Sequence, residues 1–330
     1  MKKNLLLLCS LFMGLIITIS CNSDDNDKMS ELEKNYFAVE DAVYREGNMP
    51  EATTTNRIQG LSINNRALSG GMNFITIVSP ITYNRFFVAA KNVDGYWEYR
   101  PMTTRANTNG EYVTYTIPVM YSTDYNSNII MLISGETEDG DITEPYEAQI
   151  NYVESESGDL NINLTFSNAK DVDLHLYTPS DEHIFYSNRG GSFQTTDGNT
   201  VSYGLDHDSN AGCTLDYLNN ENIYIPAELI EPGTYRVIVD MYSNCDSNIA
   251  TSWSVVARYK GNVVRVDTGS NPASGVYPVG AENNDMTEVM TFTISGTRTE
   301  GSAIVPGSFK PVPQSDRDLM KYKDLMYRRQ

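Results

Sequence analysis

The chain has 330 residues, of which 40% are hydrophobic and 20% are charged. This is the composition of a globular protein, and the length is roughly that of two domains. The chain carries 24 Lys and Arg against 43 Asp and Glu, a formal net charge of −19. Because phosphate groups are bound by clustered basic residues, this balance argues against a nucleic-acid partner and against charge-driven docking on anionic lipid.

Residues 1–20 have the layout of a secretory signal peptide. A basic start at Lys2 and Lys3 precedes an apolar run that ends near Ile17, and a small residue, Ser20, precedes Cys21. The apolar run is too short for a comfortable membrane span, although an uncleaved N-terminal anchor is the alternative. Residues 18–21 resemble the lipobox of bacterial lipoproteins, and the resemblance implies that Cys21 is lipidated.

An acidic stretch, residues 22–27, follows directly and must be solvated. It resembles the export tag of Bacteroidota lipoproteins on the outer face of the outer membrane, although a plain flexible tether is the alternative. The resemblance implies an outer-membrane protein that faces the exterior and contacts the membrane only through its lipid anchor. We expect residues 21–59 to form tether and linker, with a short helix within 31–44.

The cysteine count predicts one disulfide. Cys9 leaves with the signal peptide and Cys21 is taken by lipid, so Cys213 and Cys245 remain as an even pair. In an oxidising envelope such a pair is expected to be bonded. Two buried free thiols are the alternative.

Short β-branched and aromatic segments separated by turns predict an immunoglobulin-like β-sandwich over residues 60–154. The predicted strands are 74–78, 85–89, 97–99, 112–117, 129–133 and 146–152.

A second all-β domain, jelly-roll-like, is predicted over residues 158–297. It opens with an unbroken alternation over residues 160–166, and further strands are predicted at 171–177, 184–186, 233–241, 251–259 and 290–294. Residues 298–330 form a tail in which 315–329 are compatible with a short basic helix. That helix either packs back on its own domain or docks on a partner.

Two acidic motifs in the second domain suggest a calcium site. On a strand, Asp171, Asp173 and His175 share one face, because alternate residues point the same way. Asp206 and Asp208 add oxygen ligands in a turn. Carboxylates from several segments suit Ca²⁺, whereas an EF-hand is excluded because no glutamate closes the loop. Acidic residues that cap turns without an ion are the alternative.

The order of motifs in this domain resembles the YfaP-like family of secreted bacterial β domains. The matching segments are 171–176, 182–188, 205–208, 221–223 and 233–237, within residues 160–260. The resemblance implies an envelope-exposed sandwich related to accessory domains of secreted peptidases, with no assigned activity. This chain departs from the family by inserting residues 210–213 after the acidic turn.

The sequence offers little support for an enzyme, and we predict no catalytic residues. His175, His183 and His207 do not have the spacing of an established zinc signature. No nucleophile-elbow sequence surrounds the serines near His183.

The 22 tyrosines point instead to binding. Aromatic rings stack on sugars and anchor interfaces, and a turn at Gly95 suggests an exposed platform of Tyr96, Trp97 and Tyr99. The alternative is that tyrosines fill half-buried sheet faces.

Together these features predict a non-enzymatic surface lipoprotein that acts as a binding or adhesion module for a glycan or protein ligand, with calcium as its one candidate cofactor. The competing hypothesis is an accessory subunit of an outer-membrane assembly, docked through the basic C-terminal helix.

Overall fold

The computed structural model of the chain describes residues 30–101, 105–106, 112–195, 198–245 and 248–295. These residues form β-sheets with only one short helix, which confirms the predicted all-β class. Cys21 and the predicted helix at 315–329 lie outside the described residues. Within the described part of the chain, no helix is long and apolar enough to cross a bilayer.

The first sandwich contains one helix and eleven strands. They are α1 (Glu31–Asn35), β1 (Phe37–Val39), β2 (Ala42–Arg45), β3 (Leu61–Ile63), β4 (Arg66–Leu68), β5 (Met72–Ser79), β6 (Tyr83–Ala90), β7 (Tyr96–Tyr99), β8 (Arg105–Ala106), β9 (Val113–Tyr121), β10 (Ile129–Thr137) and β11 (Tyr146–Val153).

The first sandwich has the immunoglobulin-like strand order. One sheet runs β3-β5-β9-β1 with β8 also on β9, and the other runs β4-β11-β10-β6-β7-β2. An immunoglobulin domain likewise separates its strands A, B and E from C, F and G. All pairs are antiparallel except β4 with β11, which are parallel. Ile75, Ile117 and Ile133 from the two sheets are fully buried in one core between them.

The N-terminal segment differs from the prediction of a linker. Helix α1 has only five residues, with Ser30 as its N-cap accepting a hydrogen bond from the Glu33 amide at 3.1 Å. After it, β1 pairs with β9 and β2 pairs with β7. Phe37 and Val39 occupy alternate positions and are both buried. This stretch therefore packs its apolar side chains on the core as an edge strand, instead of continuing the helix. The first sandwich therefore begins well before residue 60.

The second sandwich contains twelve strands and two single-turn 3₁₀ segments. They are β12 (Leu160–Phe166), β13 (Asp171–Tyr177), β14 (His183–Ile184), β15 (Gly190–Gln194), β16 (Thr200–His207), the turn Ala211–Cys213, β17 (Asn220–Ile225), the turn Ala227–Leu229, β18 (Gly233–Ser243), β19 (Thr251–Tyr259), β20 (Asn262–Val263), β21 (Thr268–Gly269), β22 (Ala273–Tyr277) and β23 (Asp285–Ile294).

Two antiparallel sheets enclose the core of this sandwich. One runs β15-β16-β17-β12-β19-β20 with β22 also on β19, and the other runs β14-β13-β18-β23-β21. The alternation seen in the sequence of β12 and β13 is the core pattern, since Leu164 and Leu174 are both fully buried in the same cluster. Strands β13 and β17, from different sheets, lie near each other and carry the acidic residues.

The two sandwiches touch through hydrogen bonds from side chains to backbone. Arg258 Nε on β19 donates to the Gly70 carbonyl at 2.9 Å, and Ser254 Oγ donates to the Met72 carbonyl at 3.4 Å. Asn64 Nδ2 donates to the Leu218 carbonyl at 3.2 Å. These contacts leave a cleft on one side of the junction.

Candidate metal site

The polar face of β13 is covered by protein. Asp171, Asp173 and His175 share one face as predicted, but they are only 1%, 2% and 2% exposed. On the opposite face, Val172 and Leu174 belong to the hydrophobic core. Ionisable groups on this strand therefore lie in the protein interior, where a charge without a partner is costly.

Three carboxylates from separate segments converge beside β13. One oxygen each from Asp173, Asp208 and Glu221 lies within 4.8 Å of the others. An ion at the centre of three oxygens that are at most 4.8 Å apart lies within about 2.8 Å of each, close to calcium–oxygen distances of roughly 2.3–2.6 Å. The described residues thus contain a buried acidic triad that could hold a metal ion.

Glu221 enters the site from the core side of β17. It pairs in register with Leu164 of β12, and opposed residues on antiparallel strands point to the same face. Its Oε2 accepts a hydrogen bond from the Leu174 amide at 2.7 Å, and its Oε1 accepts one from the Ser209 amide at 3.2 Å. These two donors hold the carboxylate between the two sheets.

A disulfide-bonded loop closes the site. Cys213 and Cys245 form the predicted disulfide, which ties the loop after β16 to the end of β18. Next to it, the Gly212 amide donates to Asp171 Oδ2 at 2.8 Å. The loop that begins with Asp208 is thereby fastened over β13.

Burial raises the pKa of Asp171, Asp173, Asp208 and Glu221, and repulsion within the group adds to the effect in all of them except Asp208. Burial, with a smaller effect from Asp208, raises the pKa of Asp171 to about 6. The pKa values of Asp173 and Glu221 lie well above their usual range because both are buried and face other carboxylates. Burial also raises the pKa of Asp208. Without a cation, these groups would retain protons that exposed carboxyls lose.

The charge balance around the site is negative. Asp240 pairs in register with Asp173 and is 1% exposed, so it adds a further buried carboxyl on the same face. Arg189 forms an ion pair with one member of this set, since its Nη1 lies 3.8 Å from Asp208 Oδ2 and its side chain is 49% exposed. Lys170, which is 1% exposed, donates from Nζ to Asn244 Oδ1. Asp171 Oδ1 and Asp208 Oδ1 have no hydrogen-bond partner among the described residues. The buried carboxyls Asp171, Asp173, Asp240 and Glu221, with the partly buried Asp208, thus outnumber the cations near them among the described residues.

Of the four predicted metal ligands, Asp173 and Asp208 belong to the triad, whereas Asp171 and Asp206 do not. Asp206 Oδ2 accepts from the Glu156 amide at 2.6 Å, and its Oδ1 accepts from Asn222 Nδ2 at 2.8 Å. The pairing of β16 with β17 shifts register between Leu205 and His207, which leaves Asp206 at an irregularity. Asp206 instead connects β16 with the inter-domain segment and with β17, because its two oxygens accept hydrogen bonds from Glu156 and Asn222.

The structure contradicts the predicted exposure of the aromatic platform of Tyr96, Trp97 and Tyr99. Trp97 is only 7% exposed and its Nε1 donates to the Phe37 carbonyl at 3.1 Å. Tyr96 and Tyr99 are half-buried, and Tyr99 Oη donates to the Thr116 carbonyl at 3.2 Å. Strand β7 lies between β2 and β6, so its side chains pack within the sheet surfaces and Trp97 faces the core.

The three histidines do not form a common site. His175 Nδ1 and His183 Nε2 are 2.9 Å apart, whereas His207 Nε2 lies 2.8 Å from the Glu154 carbonyl. Burial lowers the pKa of His175 to about 4. Burial and the His175 ring lower the pKa of His183 to about 3. Both rings are neutral near pH 7 and stack with Phe185.

Comparisons with known proteins leave the function open. No protein-family model matches the chain, and no curated protein matches it. Among solved structures, a chain from the complete structure of manganese lipoxygenase of Gaeumannomyces graminis and partial structure of zonadhesin of Komagataella pastoris is similar at 10% identity. The match covers 75% of this chain and 99% of that chain, and its TM-score of 0.19 is too low to indicate a shared fold.

Proposed function

We propose that the protein is a non-enzymatic surface lipoprotein that binds a glycan or protein ligand and whose second sandwich is stabilised by one calcium ion. The observation that supports this proposal is the buried triad of Asp173, Asp208 and Glu221. Lipidation at Cys21 would hold the two sandwiches at the outer membrane, and the acidic stretch at 22–27 supports display on the exterior. The motif order over residues 160–260 supports a place in the YfaP-like family.

Calcium fits the triad better than a softer metal. All three ligands are carboxylate oxygens, which suit Ca²⁺, Mg²⁺ and Mn²⁺, whereas zinc in proteins takes mainly Cys and His. The ligands come from a strand, a loop and a second strand, so their spacing can adapt to the larger ion. Mg²⁺ requires near-octahedral geometry and usually keeps several waters, which a closed, buried site accommodates poorly.

The ion would serve stability and loop order. It would replace protons on the raised-pKa carboxyls and connect the two sheets with the loop after β16. Because that loop contacts the first sandwich through Leu218, the ion would also order part of the inter-domain surface. In this proposal the ion has a structural role and takes no part in a chemical reaction.

Calorimetric titration of the chain from residue 22 onward tests this proposal. After EDTA treatment and dialysis, CaCl₂ is titrated into the wild type and into the Glu221→Gln and Asp206→Asn variants, with MgCl₂ as the comparison ion. We expect one Ca²⁺ per chain, at least about tenfold weaker binding in Glu221→Gln, and near wild-type affinity in Asp206→Asn. An absence of binding, or a loss caused by Asp206→Asn alone, would overturn the assignment.

Cell fractionation tests the location. The wild-type chain should be found with the outer membrane and be accessible to external protease. A Cys21→Ser variant should be released from the membrane fraction. Retention of the Cys21→Ser variant in the membrane would refute anchoring at this residue.

A further inference from the structure

The junction between the two sandwiches contains a cleft with a volume of about 550 Å³. Its walls come from the turn after β9, the segment between the domains, and β12, β17 and β19. Small-molecule sites typically measure roughly 300–1,000 Å³ and occur preferentially at domain interfaces. The cleft therefore has the size and the position of a ligand site.

Side-chain amides from both domains line this cleft. Asn126 comes from the first sandwich, and Asn161, Asn163 and Asn222 come from the second. Asn163 is 3% exposed, and its Nδ2 donates to Asn222 Oδ1 at 2.8 Å while its Oδ1 has no partner among the described residues. The Oδ1 of Asn163 can therefore accept a hydrogen bond from a ligand hydroxyl, and the exposed amide of Asn126 offers both a donor and an acceptor.

Neighbouring contacts fix these amides in place. Asn222 Nδ2 also donates to the Glu156 carbonyl at 3.0 Å, and Asn161 Oδ1 accepts from the Gly158 amide at 3.1 Å. Arg258 at the cleft wall is held by the carbonyls of Gly70 and Gly261. The polar lining is thus largely ordered before a ligand arrives, which lowers the entropy cost of binding.

Two tyrosines add an aromatic wall. Tyr125 and Tyr152 line the cleft and meet edge to face, with ring centroids 5.6 Å apart. Tyr125 is 1% exposed, whereas Tyr152 is half-buried and leaves part of its ring available. Sugar rings present C–H faces that pack on aromatic rings together with hydroxyls that need both donors and acceptors.

We propose that this cleft binds a short neutral saccharide, an inference that rests on the proposed binding function and names its site and ligand class. Carboxylates of Asp124 and Glu156 at the cleft, together with the net charge of −19, disfavour an anionic ligand. The guanidinium of Arg258 disfavours a cationic one. A hydroxyl-rich neutral molecule avoids both penalties and uses the amides of Asn126 and Asn163.

The test uses the chain from residue 22 onward and a panel of neutral saccharides: glucose, galactose, mannose, N-acetylglucosamine and their common disaccharides. Binding is followed by saturation-transfer NMR and then by calorimetry, in EDTA and in CaCl₂. In Ser157→Trp, an exposed residue at the cleft is replaced by a bulky ring that fills the space. Ser192→Trp, at an exposed position on β15, is the matched control.

We expect at least one saccharide to bind the wild type and Ser192→Trp alike, with binding at least about tenfold weaker in Ser157→Trp. Asn126→Ala, at an exposed position, should weaken binding without unfolding the protein. If no saccharide binds, or if binding is unchanged in Ser157→Trp, the inference is overturned. Saccharide binding that persists in EDTA would support the cleft even if the calcium proposal failed, so the two failures are distinguishable.

Discussion

Replacement of Asp171 by Asn should stabilise the metal-free protein at neutral pH. Burial raises the pKa of this carboxyl from its ordinary value of 3.8 to about 6. Between these values the folded chain retains a proton that the unfolded chain has lost, so the free energy of unfolding falls as pH rises through this window. Asn carries no charge and still offers an oxygen to the Gly212 amide.

The size of the effect follows from the pKa change. A difference of about 2 pH units corresponds to about 3 kcal/mol, since each unit is worth 1.36 kcal/mol. The charge of Asp171 also helps to raise the pKa values of Asp173 and Glu221, so its removal lessens the repulsion on both of these carboxyls. We therefore expect Asp171→Asn to match the wild type below about pH 4 and to exceed it by about 1–3 kcal/mol above pH 7 in EDTA.

Urea denaturation at a series of pH values in EDTA measures this difference directly. Comparison with the variant removes contributions from distant carboxyls that titrate identically in both proteins. An ion that binds only the folded chain should stabilise both proteins, by about 2.7 kcal/mol at 100 times its Kd. Calcium should also narrow the gap at neutral pH, because the cation offsets the repulsion that the charge of Asp171 adds in the wild type. An Asp171→Asn variant that is less stable than the wild type in EDTA at pH 7 would refute the argument.

Three further substitutions test the architecture through urea denaturation midpoints. Trp97→Ala should cost about 3–5 kcal/mol because the side chain is buried in the core, and Trp97→Phe should recover most of that loss; a cost below about 1 kcal/mol would mean that the ring is exposed. Replacing Cys213 and Cys245 by Ser together should cost about 3–4 kcal/mol for a 32-residue separation, and unchanged stability would contradict the loop-closure estimate. Gly204→Ala should cost at least about 2 kcal/mol, because φ is +134° and the added Cβ would lie 1.7 Å from the Arg189 carbonyl oxygen; a neutral effect would contradict this backbone path.

The alternation of apolar and polar residues along the chain is enough to predict the all-β class and part of the hydrophobic core. Leu164 and Leu174 follow the period of two and are buried as that pattern requires. The pattern could also place Asp171 and Asp173 on one face. It could not show what covers that face, because the covering loop and β17 are 30 to 50 residues away along the chain.

No strand is predicted over residues 220–225, so Glu221 is not among the candidate ligands predicted from the sequence. One signal was present: Glu221 is in phase with Ile223 and Ile225, so on a strand all three point to the core. Trp97 was misplaced for a related reason. A nearby glycine turn does not determine exposure when further strands, here β2 and β6, pair on both sides of β7.

The early start of the first sandwich limits how far the protein could stand from a membrane. If Cys21 is acylated, nine residue steps lead from it to Ser30, where the described structure begins. At most roughly 3.3–3.6 Å per step, they span about 30 Å, whereas a linker running to residue 59 would span about 130 Å. That shorter reach is about the thickness of a bilayer's hydrocarbon core. The N-terminal end of the first sandwich would then lie within about 30 Å of the membrane surface, whatever the orientation of the rest of the protein.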